Sequence, residues 1–350
     1  WAPHNSKVGT VNSVINSVKS IKKFSKNSFK PYLIDTTGEW NNYEEKFNII
    51  NLRKNKFDLR RIRNKGFFWS RIFFLLVFFL NLKKLKKLLD KEKPEYLIIH
   101  LITSLPLFLY LIFNFKTKLI LRISGEPRLG LLRKFFWKLL SKKIFAITCP
   151  NNKIKDLLVK KKIFQESKLK ILLDPVIDIK ELIIQKKNNY NKDFKNKKYF
   201  LSVGRLTKQK NFGFLIKAID NLKKDYPNIK LLILGEGEEK KSLADLITKL
   251  KLEKNVFLKG FKKNVYSYMQ NARCLILTSL SENPGHVLIE AAINNCPIIS
   301  SDCPTGPSEF LEKGKCGFLF ETNNEKDLII NLKKFIAQNK SENYKKKYFA

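Results

Sequence analysis

The residues best suited to chemistry lie in one segment, SENPGHVLIEA at positions 281–291, where two carboxylates stand eight positions apart. Glu282 is predicted in a loop after a strand, and Glu290 in the second turn of the following helix. Gly285 lies between them and lets a ligand approach the backbone closely. The free N–H groups at the start of this helix belong to His286, Val287 and Leu288. These groups and the helix dipole favour an anion. On either side of such an anion, one carboxylate can face a sugar while the other accepts hydrogen bonds from a ribose. The alternative is an ordinary helix N-terminus with a glutamate placed for the dipole.

A second constellation, GRLTKQKN at positions 204–211, follows the predicted end of a strand at Gly204. It offers Arg205 and Lys210 over the cleft at the strand end, and two cations there can neutralise a diphosphate leaving group. The chain contains no D-x-D motif, which is the usual means of holding a metal ion on a nucleotide diphosphate. We therefore expect protein cations, and no metal ion, to perform this task. The alternative is that these side chains are solvated surface charges.

Alternating strand and helix patterns must position these residues. Over residues 199–337, short apolar strands ending near glycine alternate with helices. This predicts a parallel, doubly wound sheet whose ligands bind at the carboxyl ends of the strands. Residues 1–182 repeat the alternation less regularly, and the chain is expected to begin after a strand that precedes it. Residues 183–198 are polar and charged and predict a linker, while residues 338–350 predict the start of a tail or returning helix. The predicted architecture is α/β, with two Rossmann-like domains facing a cleft.

The chain is strongly basic, and most of its excess positive charge lies in the first half. There are 69 lysine and arginine residues against 31 aspartate and glutamate residues, a net charge of +38 over 350 residues. Residues 1–200 carry 44 basic and 15 acidic groups, a net charge of +29. Such a basic half indicates an anionic partner, either a membrane surface or a nucleic acid. Part of the excess has a simpler explanation, because abundant Lys, Asn, Ile and Phe are typical of an AT-rich genome.

The longest uninterrupted apolar run, Ile72–Leu80, has nine residues, whereas a helix that crosses a bilayer needs about 20. Basic residues flank this run at Arg71, Lys83, Lys84, Lys86 and Lys87. This pattern is typical of an interfacial helix that lies among lipid headgroups. The apolar side chains expected in that interface include Phe73, Phe74, Phe78 and Phe79. The alternative is a core helix of an α/β domain.

Metal and disulfide sites are not expected. The five cysteines, at positions 149, 274, 296, 303 and 316, form no C-x-x-C pair, and the three histidines form no H-E-x-x-H motif. This pattern argues against a zinc cluster and a disulfide framework, and it favours a reducing compartment.

Taken in order, the motifs of residues 199–337 resemble those of one family. They are GRLTKQKN, LLILGEG, VFLKGF, the E-x7-E segment from Glu282 to Glu290, SDCPTGPSEFL and GFLF. They resemble GT-B-fold retaining glycosyltransferases of family 4, also called glycosyltransferases group 1. The first half is similar in outline alone, through His100 after a predicted strand, Gly9 in a glycine loop, and the segment DPVID at 174–178.

The resemblance implies a role for each of these residues. It implies that Glu282 contacts the transferring sugar and that His100 lies over this sugar from the first domain, both in catalytic positions. It places Arg205 and Lys210 on the diphosphate and Glu290 on the nucleotide ribose. Residues 259–261, including Phe261, would read the base. The remaining donor-binding positions that it implies are Gly9, Gly204, Gly285, His286, Val287 and Leu288.

The resemblance also implies a function. We expect a retaining, metal-independent enzyme that moves a sugar from a nucleotide-sugar donor, with UDP-HexNAc or UDP-hexose favoured, to a glycan or polyprenyl-diphosphate-linked acceptor in cell-surface polysaccharide synthesis. No cofactor beyond the nucleotide-sugar substrate, and no nucleic acid, is expected. The protein would be cytoplasmic and peripheral, on the inner face of the cell membrane. Two alternatives remain: a nucleotide-sugar epimerase of GT-B fold, and a basic nucleic-acid-binding protein.

Overall fold

The structure, a computed structural model, describes residues 1–4, 9–26, 28–40, 43, 45–53, 67–127, 129–173, 199–282 and 285–338. The chain forms two compact units, Trp1–Val176 and Ile177–Ala350. The predicted linker at 183–198 lies outside the described residues, as does the predicted tail beyond residue 338. The predicted domain limits therefore stay predictions.

The amino-terminal unit contains two parallel sheets. Its strands are β1 (Leu33–Asp35), β2 (Ile49–Asn51), β3 (Tyr96–Ile99), β4 (Lys118–Arg122), β5 (Ile144–Cys149) and β6 (Leu169–Ile171). Its helices are α1 (Gly9–Phe24), α2 (Phe67–Glu92), α3 (Ser104–Ile112), α4 (Leu131–Leu140) and α5 (Asn152–Lys160). Strand β1 pairs with β2, and the other four strands form one sheet in the order β3-β4-β5-β6. The sequence pattern predicts five of these strands, at residues 32–35, 96–100, 119–123, 144–148 and 169–173. It does not predict β2, because the three residues Ile-Ile-Asn are too short a pattern.

The apolar run of helix α2 is buried on one face and exposed on another. Phe73 and Val77 are buried in the core of the amino-terminal unit, four residues apart on one helix face. Leu75 and Phe79 are exposed on another face. The alternative of a core helix is thus correct for Phe73, which was expected in a lipid interface. Among the described residues, no helix is both long enough and apolar enough to cross a membrane.

The carboxy-terminal unit contains one six-stranded parallel sheet in the order β12-β11-β10-β7-β8-β9. Its strands are β7 (Phe200–Val203), β8 (Leu231–Leu234), β9 (Val256–Leu258), β10 (Cys274–Leu277), β11 (Ile298–Ser301) and β12 (Phe318–Phe320). Its helices are α6 (Phe212–Lys223), α7 (Lys240–Lys249), α8 (Tyr266–Asn271), α9 (His286–Ile293), α10 (Pro307–Phe310) and α11 (Glu325–Gln338). The α/β class with parallel sheets is confirmed.

This sheet is covered on both faces, as its sequence pattern requires. The four residues of β8 are all buried and alternate between two hydrophobic cores. Leu231 and Ile233 pack into one core with helices α6 and α11, whereas Leu232 and Leu234 pack into the other with α8 and α9. Because successive side chains of a strand point to opposite faces, a continuous apolar run is what a doubly wound sheet needs.

Candidate functional site

The centre of the candidate site is an ion pair between Lys210 and Glu282 at the carboxyl ends of β7 and β10. Lys210 ends a 3₁₀ turn, Lys208–Lys210, that follows β7, and Glu282 lies in the loop after β10. The Lys210 Nζ donates to the Glu282 Oε1, with the two side chains 17% and 6% exposed. The Ser279 hydroxyl donates to the same carboxylate oxygen at 2.5 Å. The structure thus joins two residues that the sequence analysis placed in separate motifs.

Hydrogen bonds to backbone carbonyls hold the two loops together. The N–H of Leu280 donates to the carbonyl of Gln209 at 2.8 Å, and the side-chain amide of Gln209 donates to the carbonyl of Ser281 at 2.8 Å. The Thr278 hydroxyl donates to the carbonyl of Lys210 at 3.0 Å. These bonds attach the 3₁₀ turn to the Glu282 loop, so the ion pair sits on a fixed frame.

A third loop, after β11, supports the backbone of Glu282. The Thr305 hydroxyl donates to the carbonyl of Glu282 at 2.5 Å, and the Ser301 hydroxyl donates to the carbonyl of Ser279 at 2.7 Å. The sequence analysis quoted the motif that contains Thr305 without giving any of its residues a role. Small hydroxyl residues at the end of a buried strand are the signal that could have identified them.

Glycines allow the strand ends to approach one another. A Cβ atom on Gly235, where φ is +149°, would lie 1.8 Å from the carbonyl oxygen of Gly204, and one on Gly237 would lie 2.2 Å from that of Leu206. Gly204 also borders the Lys210 side chain, whose Cε would lie 3.3 Å from an added Cβ. Gly204 therefore shapes the space that the Lys210 side chain occupies. Arg205 follows at the same strand end and is exposed.

Helix α9 begins at the predicted position, directly after Gly285. Gly285 has a left-handed backbone with φ of +82° and gives the helix no side-chain cap. The N–H of Leu288 donates to the carbonyl of Gly285 at 2.9 Å, so an anion would compete with this bond for Leu288. His286 and Val287 occupy the first two helical positions, where backbone N–H groups and the helix dipole favour an anion.

Glu290 lies one turn after His286 on the same helix and is half-buried. Burial raises the pKa of Glu290 from its usual value of 4.5 to about 7, and the neighbouring His286 opposes this rise. A carboxylic acid in such a setting exchanges its proton near neutral pH. Perturbed acids of this kind mark functional sites more often than ordinary surface positions do.

The loop after β9 lies beside the end of β8. The N–H of Gly235 donates to the carbonyl of Gly260 at 2.9 Å. A Cβ atom on Gly260, where φ is +68°, would lie 2.9 Å from the Glu236 carboxylate. Phe261 follows with its ring exposed. An exposed ring at a strand end is available to stack on a flat ligand.

A shallow cavity of about 480 Å³ adjoins the Glu282 loop. The N–H of Glu282 donates to the carbonyl of Pro304, at 3.5 Å, and Pro304 lines this cavity. The other lining residues are Asp302, Leu319, Phe320, Glu321 and Thr322. The sequence analysis did not predict this feature.

Two predicted site residues, His100 and Gly9, belong to the amino-terminal unit. His100 comes directly after β3 and is half-buried, and its backbone N–H donates to the carbonyl of Trp1 at 2.9 Å. Gly9 is the first residue of α1. Their predicted action together with Glu282 concerns both units and stays a prediction.

Within the described ranges, no group of three or more His, Cys, Asp or Glu side chains is arranged to hold a metal ion. All five cysteines are free thiols, four of them buried. The expectation that the protein works without a metal ion stays a prediction, and it needs a measurement.

Residues 184–349 match the family model described as glycosyl transferases group 1. A Campylobacter jejuni N-acetylgalactosamine-N,N'-diacetylbacillosaminyl-diphospho-undecaprenol 4-alpha-N-acetylgalactosaminyltransferase is 39% identical over 143 residues, which are 41% of this chain and 38% of that protein. A Staphylococcus aureus poly(ribitol-phosphate) alpha-N-acetylglucosaminyltransferase is 33% identical over 141 residues, 40% of this chain and 29% of that protein. The matches thus span less than half of each relative's own length, and they confirm the family resemblance for the second half of the chain.

Solved structures extend the likeness to the whole fold. The Anabaena protein HepE, solved with UDP-glucose, has a TM-score of 0.73 at 15% identity, covering 99% of this chain and 92% of that one. S. aureus TarM, solved with UDP among its ligands, has a TM-score of 0.62 at 21% identity, covering 78% of this chain and 54% of that one. At these identities the likeness establishes the fold, and the predicted GT-B class is confirmed.

Proposed function

We propose that this chain, whose residues 184–349 match the glycosyl transferases group 1 family, is a retaining, metal-independent glycosyltransferase of family 4. It moves a sugar from a nucleotide-sugar donor to a glycan or lipid-linked glycan acceptor in cell-surface polysaccharide synthesis. The observation that carries this proposal is the Lys210–Glu282 pair. It brings the cation of the GRLTKQKN motif to the first carboxylate of the E-x7-E motif, at adjoining strand ends of one sheet.

The leaving group is a nucleoside diphosphate, and its developing charge must be met by groups fixed in advance. Lys210 and Arg205 supply cations at the end of β7. The first N–H groups of α9 supply the positive end of a helix dipole. The scheme assigns the charge of the leaving group to these groups of the chain and includes no metal ion.

Glu282 is the residue assigned to the transferring sugar. Its carboxylate is positioned by the Ser279 hydroxyl and by Lys210, so it is fixed next to the cation assigned to the diphosphate. Sugar hydroxyls that donate to this carboxylate would be oriented for departure of the diphosphate. The acceptor hydroxyl attacks from the face that the leaving group vacates: its oxygen bonds to the anomeric carbon of the sugar as the bond to the diphosphate breaks, and its proton passes to the departing diphosphate. No covalent nucleophile is assigned.

The rest of the donor has assigned partners at the neighbouring strand ends. Glu290 accepts hydrogen bonds from the ribose, and the exposed Phe261 lies in the loop that meets the base. UDP is the proposed nucleotide, with a HexNAc or hexose as the sugar. This proposal is supported by the UDP and UDP-glucose complexes of the structural neighbours and by the N-acetylhexosaminyl transfers named for two relatives.

We further propose a cytoplasmic protein that attaches reversibly to the inner face of the cell membrane, where it meets a polyprenyl-diphosphate-linked acceptor. The net charge of +38 favours an anionic surface. The diphospho-undecaprenol acceptor in the name of the C. jejuni relative supports an acceptor of this class.

The test is a transfer assay with UDP-GlcNAc, UDP-GalNAc and UDP-glucose as donors and a synthetic polyprenyl-diphosphate-linked sugar as acceptor. The expected result is an acceptor-dependent product whose new linkage keeps the α configuration of the donor, read by NMR coupling constants. Inversion at that carbon would overturn the retaining mechanism. Conversion of the donor sugar without acceptor would favour the epimerase alternative, and absence of turnover with salt-sensitive RNA binding would favour a nucleic-acid-binding protein.

A further inference from the structure

Helix α4 exposes most of its large apolar side chains. Its sequence is LLRKFFWKLL, and Leu131, Leu132 and Phe135 are 89%, 85% and 66% exposed. Phe136 and Leu139 are also exposed. Only Trp137 and Leu140 of this helix are buried. A contiguous exposed apolar patch of this kind marks an interaction surface on most soluble proteins.

The exposed residues form one face. At about 100° per residue, positions 131, 132, 135, 136 and 139 fall within an arc of about 140°. Trp137 lies nearly opposite the middle of this arc, and its ring contacts that of Phe164 with centroids 5.5 Å apart. Since Trp137 and Leu140 attach the helix to its unit, the apolar face points away from the core.

Basic residues border this face on both sides. Lys138 and Lys134 lie about 20° and 60° beyond one edge of the arc, and Arg133 lies about 60° beyond the other edge, past the buried Leu140. All three basic side chains are exposed. The surrounding sequence adds to this charge: residues 127–155 contain eight lysine and arginine residues and no aspartate or glutamate. An apolar stripe between cationic edges matches the profile of a bilayer surface, where acyl chains lie beneath anionic headgroups.

We propose that α4 is the element that binds the membrane, lying in the plane of an anionic phospholipid surface. Leu131, Leu132 and Phe135 enter the boundary between headgroups and acyl chains, while Lys134 and Lys138 contact phosphates. A second copy of the chain is a poorer match, because the cationic edges of one α4 would face those of another. This inference names the contact surface for the membrane attachment proposed above, and it replaces the segment around Ile72–Leu80, whose Phe73 and Val77 are buried.

The experiment compares two matched double variants of the full chain. Leu132→Ser with Phe135→Ser alters the α4 face. Leu75→Ser with Phe79→Ser alters side chains of the same types on α2, which are 57% and 68% exposed. Binding is measured by flotation with phosphatidylcholine vesicles that contain or lack phosphatidylglycerol, at low and high salt.

The expected result is that the wild-type protein floats with anionic vesicles at low salt, and that the α4 variant binds at least about 10-fold more weakly. The α2 variant should bind like the wild type. In a second pair, Lys134→Gln with Lys138→Gln should lower binding about fivefold for each charge removed. The exposed Lys83→Gln and Lys84→Gln on α2 should lower it less. Circular dichroism and thermal unfolding verify that each variant is folded.

Each other outcome overturns the inference in an identifiable way. If the wild-type protein does not bind anionic vesicles, both the proposed membrane attachment and the proposed role of α4 are wrong. If the wild type binds and the α4 variant binds equally well, the role of α4 alone is wrong. If sedimentation shows a wild-type dimer that the α4 substitutions dissociate while vesicle binding is unchanged, the face is an interface between copies. None of these measurements uses the nucleotide sugar, so they are independent of the transferase proposal.

Discussion

Lys210 and Glu282, 72 positions apart in the chain, form a largely buried ion pair that joins the ends of two paired strands, β7 and β10. The pair joins two motifs that are separate in the sequence. A buried charge of this kind is costly when its partner is removed. The pair therefore has consequences for both catalysis and stability.

Lys210→Ala should lower turnover by a factor on the order of 100 or more, because it removes a cation from the diphosphate leaving group. Glu282→Ala should have an effect of similar size through the sugar. The matched control is Lys208→Ala, which removes an exposed lysine from the same 3₁₀ turn. Steady-state kinetics on folded protein provide the measurement. Turnover near the wild-type rate in Lys210→Ala would exclude the assigned role.

A double-mutant cycle of Lys210→Met and Glu282→Gln should show a coupling of about 1 to 3 kcal/mol in the free energy of unfolding. Each single change leaves one member of the pair without its partner, whereas the double change removes both charges. Denaturant unfolding of the four proteins gives the coupling. Additive single effects would mean that the pair does not stabilise this unit.

The raised pKa of Glu290 predicts a dependence of stability on pH. Because the folded protein holds this proton up to about pH 7 while an ordinary carboxyl releases it near 4.5, the folded state binds more protons in that window. The free energy of unfolding should therefore fall as the pH rises from 4.5 to about 7, relative to Glu290→Gln. A constant difference between the two proteins across this window contradicts the assigned pKa.

The same group should make donor binding depend on pH. An ionised Glu290 accepts two hydrogen bonds from the ribose better than a protonated one does. The affinity of the wild type for UDP, relative to that of Glu290→Gln, should increase as the pH rises through about 7. The variant also corrects for the titration of the UDP phosphate itself. If the UDP affinities of the two proteins changed with pH in parallel, Glu290 would not be the residue that contacts the ribose.

Gly235→Ala should destabilise the protein by about 3 kcal/mol, because its Cβ would lie 1.8 Å from the Gly204 carbonyl oxygen. Both atoms belong to backbone at the strand ends, so neither can move without displacing the site. Gly213→Ala is the control in the same unit. Its Cβ would meet Leu246 at an ordinary 3.8 Å, and in a helix this change should stabilise by about 0.5 kcal/mol. Equal effects of the two substitutions would refute the close approach.

Transfer should persist in EDTA, since Arg205, Lys210 and the start of α9 are assigned the charge of the leaving group. The assay compares rates before and after chelation and dialysis. A loss of rate that manganese or magnesium restores would demonstrate a metal site that the assigned residues do not account for.

The carboxy-terminal sheet was predictable because its strands are buried on both faces. Leu231–Leu234 reads as a continuous apolar run that ends at Gly235, and runs of this kind alternate with helices to the end of the unit. The neighbouring strand ends that carry Lys210 and Glu282 were predictable too, because the usual order of a doubly wound sheet places its first and fourth strands, here β7 and β10, side by side. The direct ion pair between the two side chains was not predictable, because the pattern of strands and helices does not specify side-chain positions in the loops.

In helix α4, the sequence pattern does not reveal which side of the helix is buried. Its apolar residues follow a helical period, and such a stripe normally predicts the side that faces the core. The structure buries Trp137 and Leu140 and exposes the stripe itself. Periodicity identifies an apolar face but not what covers it, so the sequence analysis assigned the interfacial segment to α2.

The most direct test of the central claim is calorimetric titration of UDP into the wild type, Lys210→Ala and Lys208→Ala, since it needs neither acceptor nor donor sugar. The account predicts saturable binding by the wild type and Lys208→Ala, and a dissociation constant at least about 10-fold higher for Lys210→Ala. Equal affinity of all three proteins would contradict the placement of the diphosphate at Lys210. If neither UDP nor GDP bound the wild type, the assignment as a nucleotide-sugar-dependent transferase would be wrong.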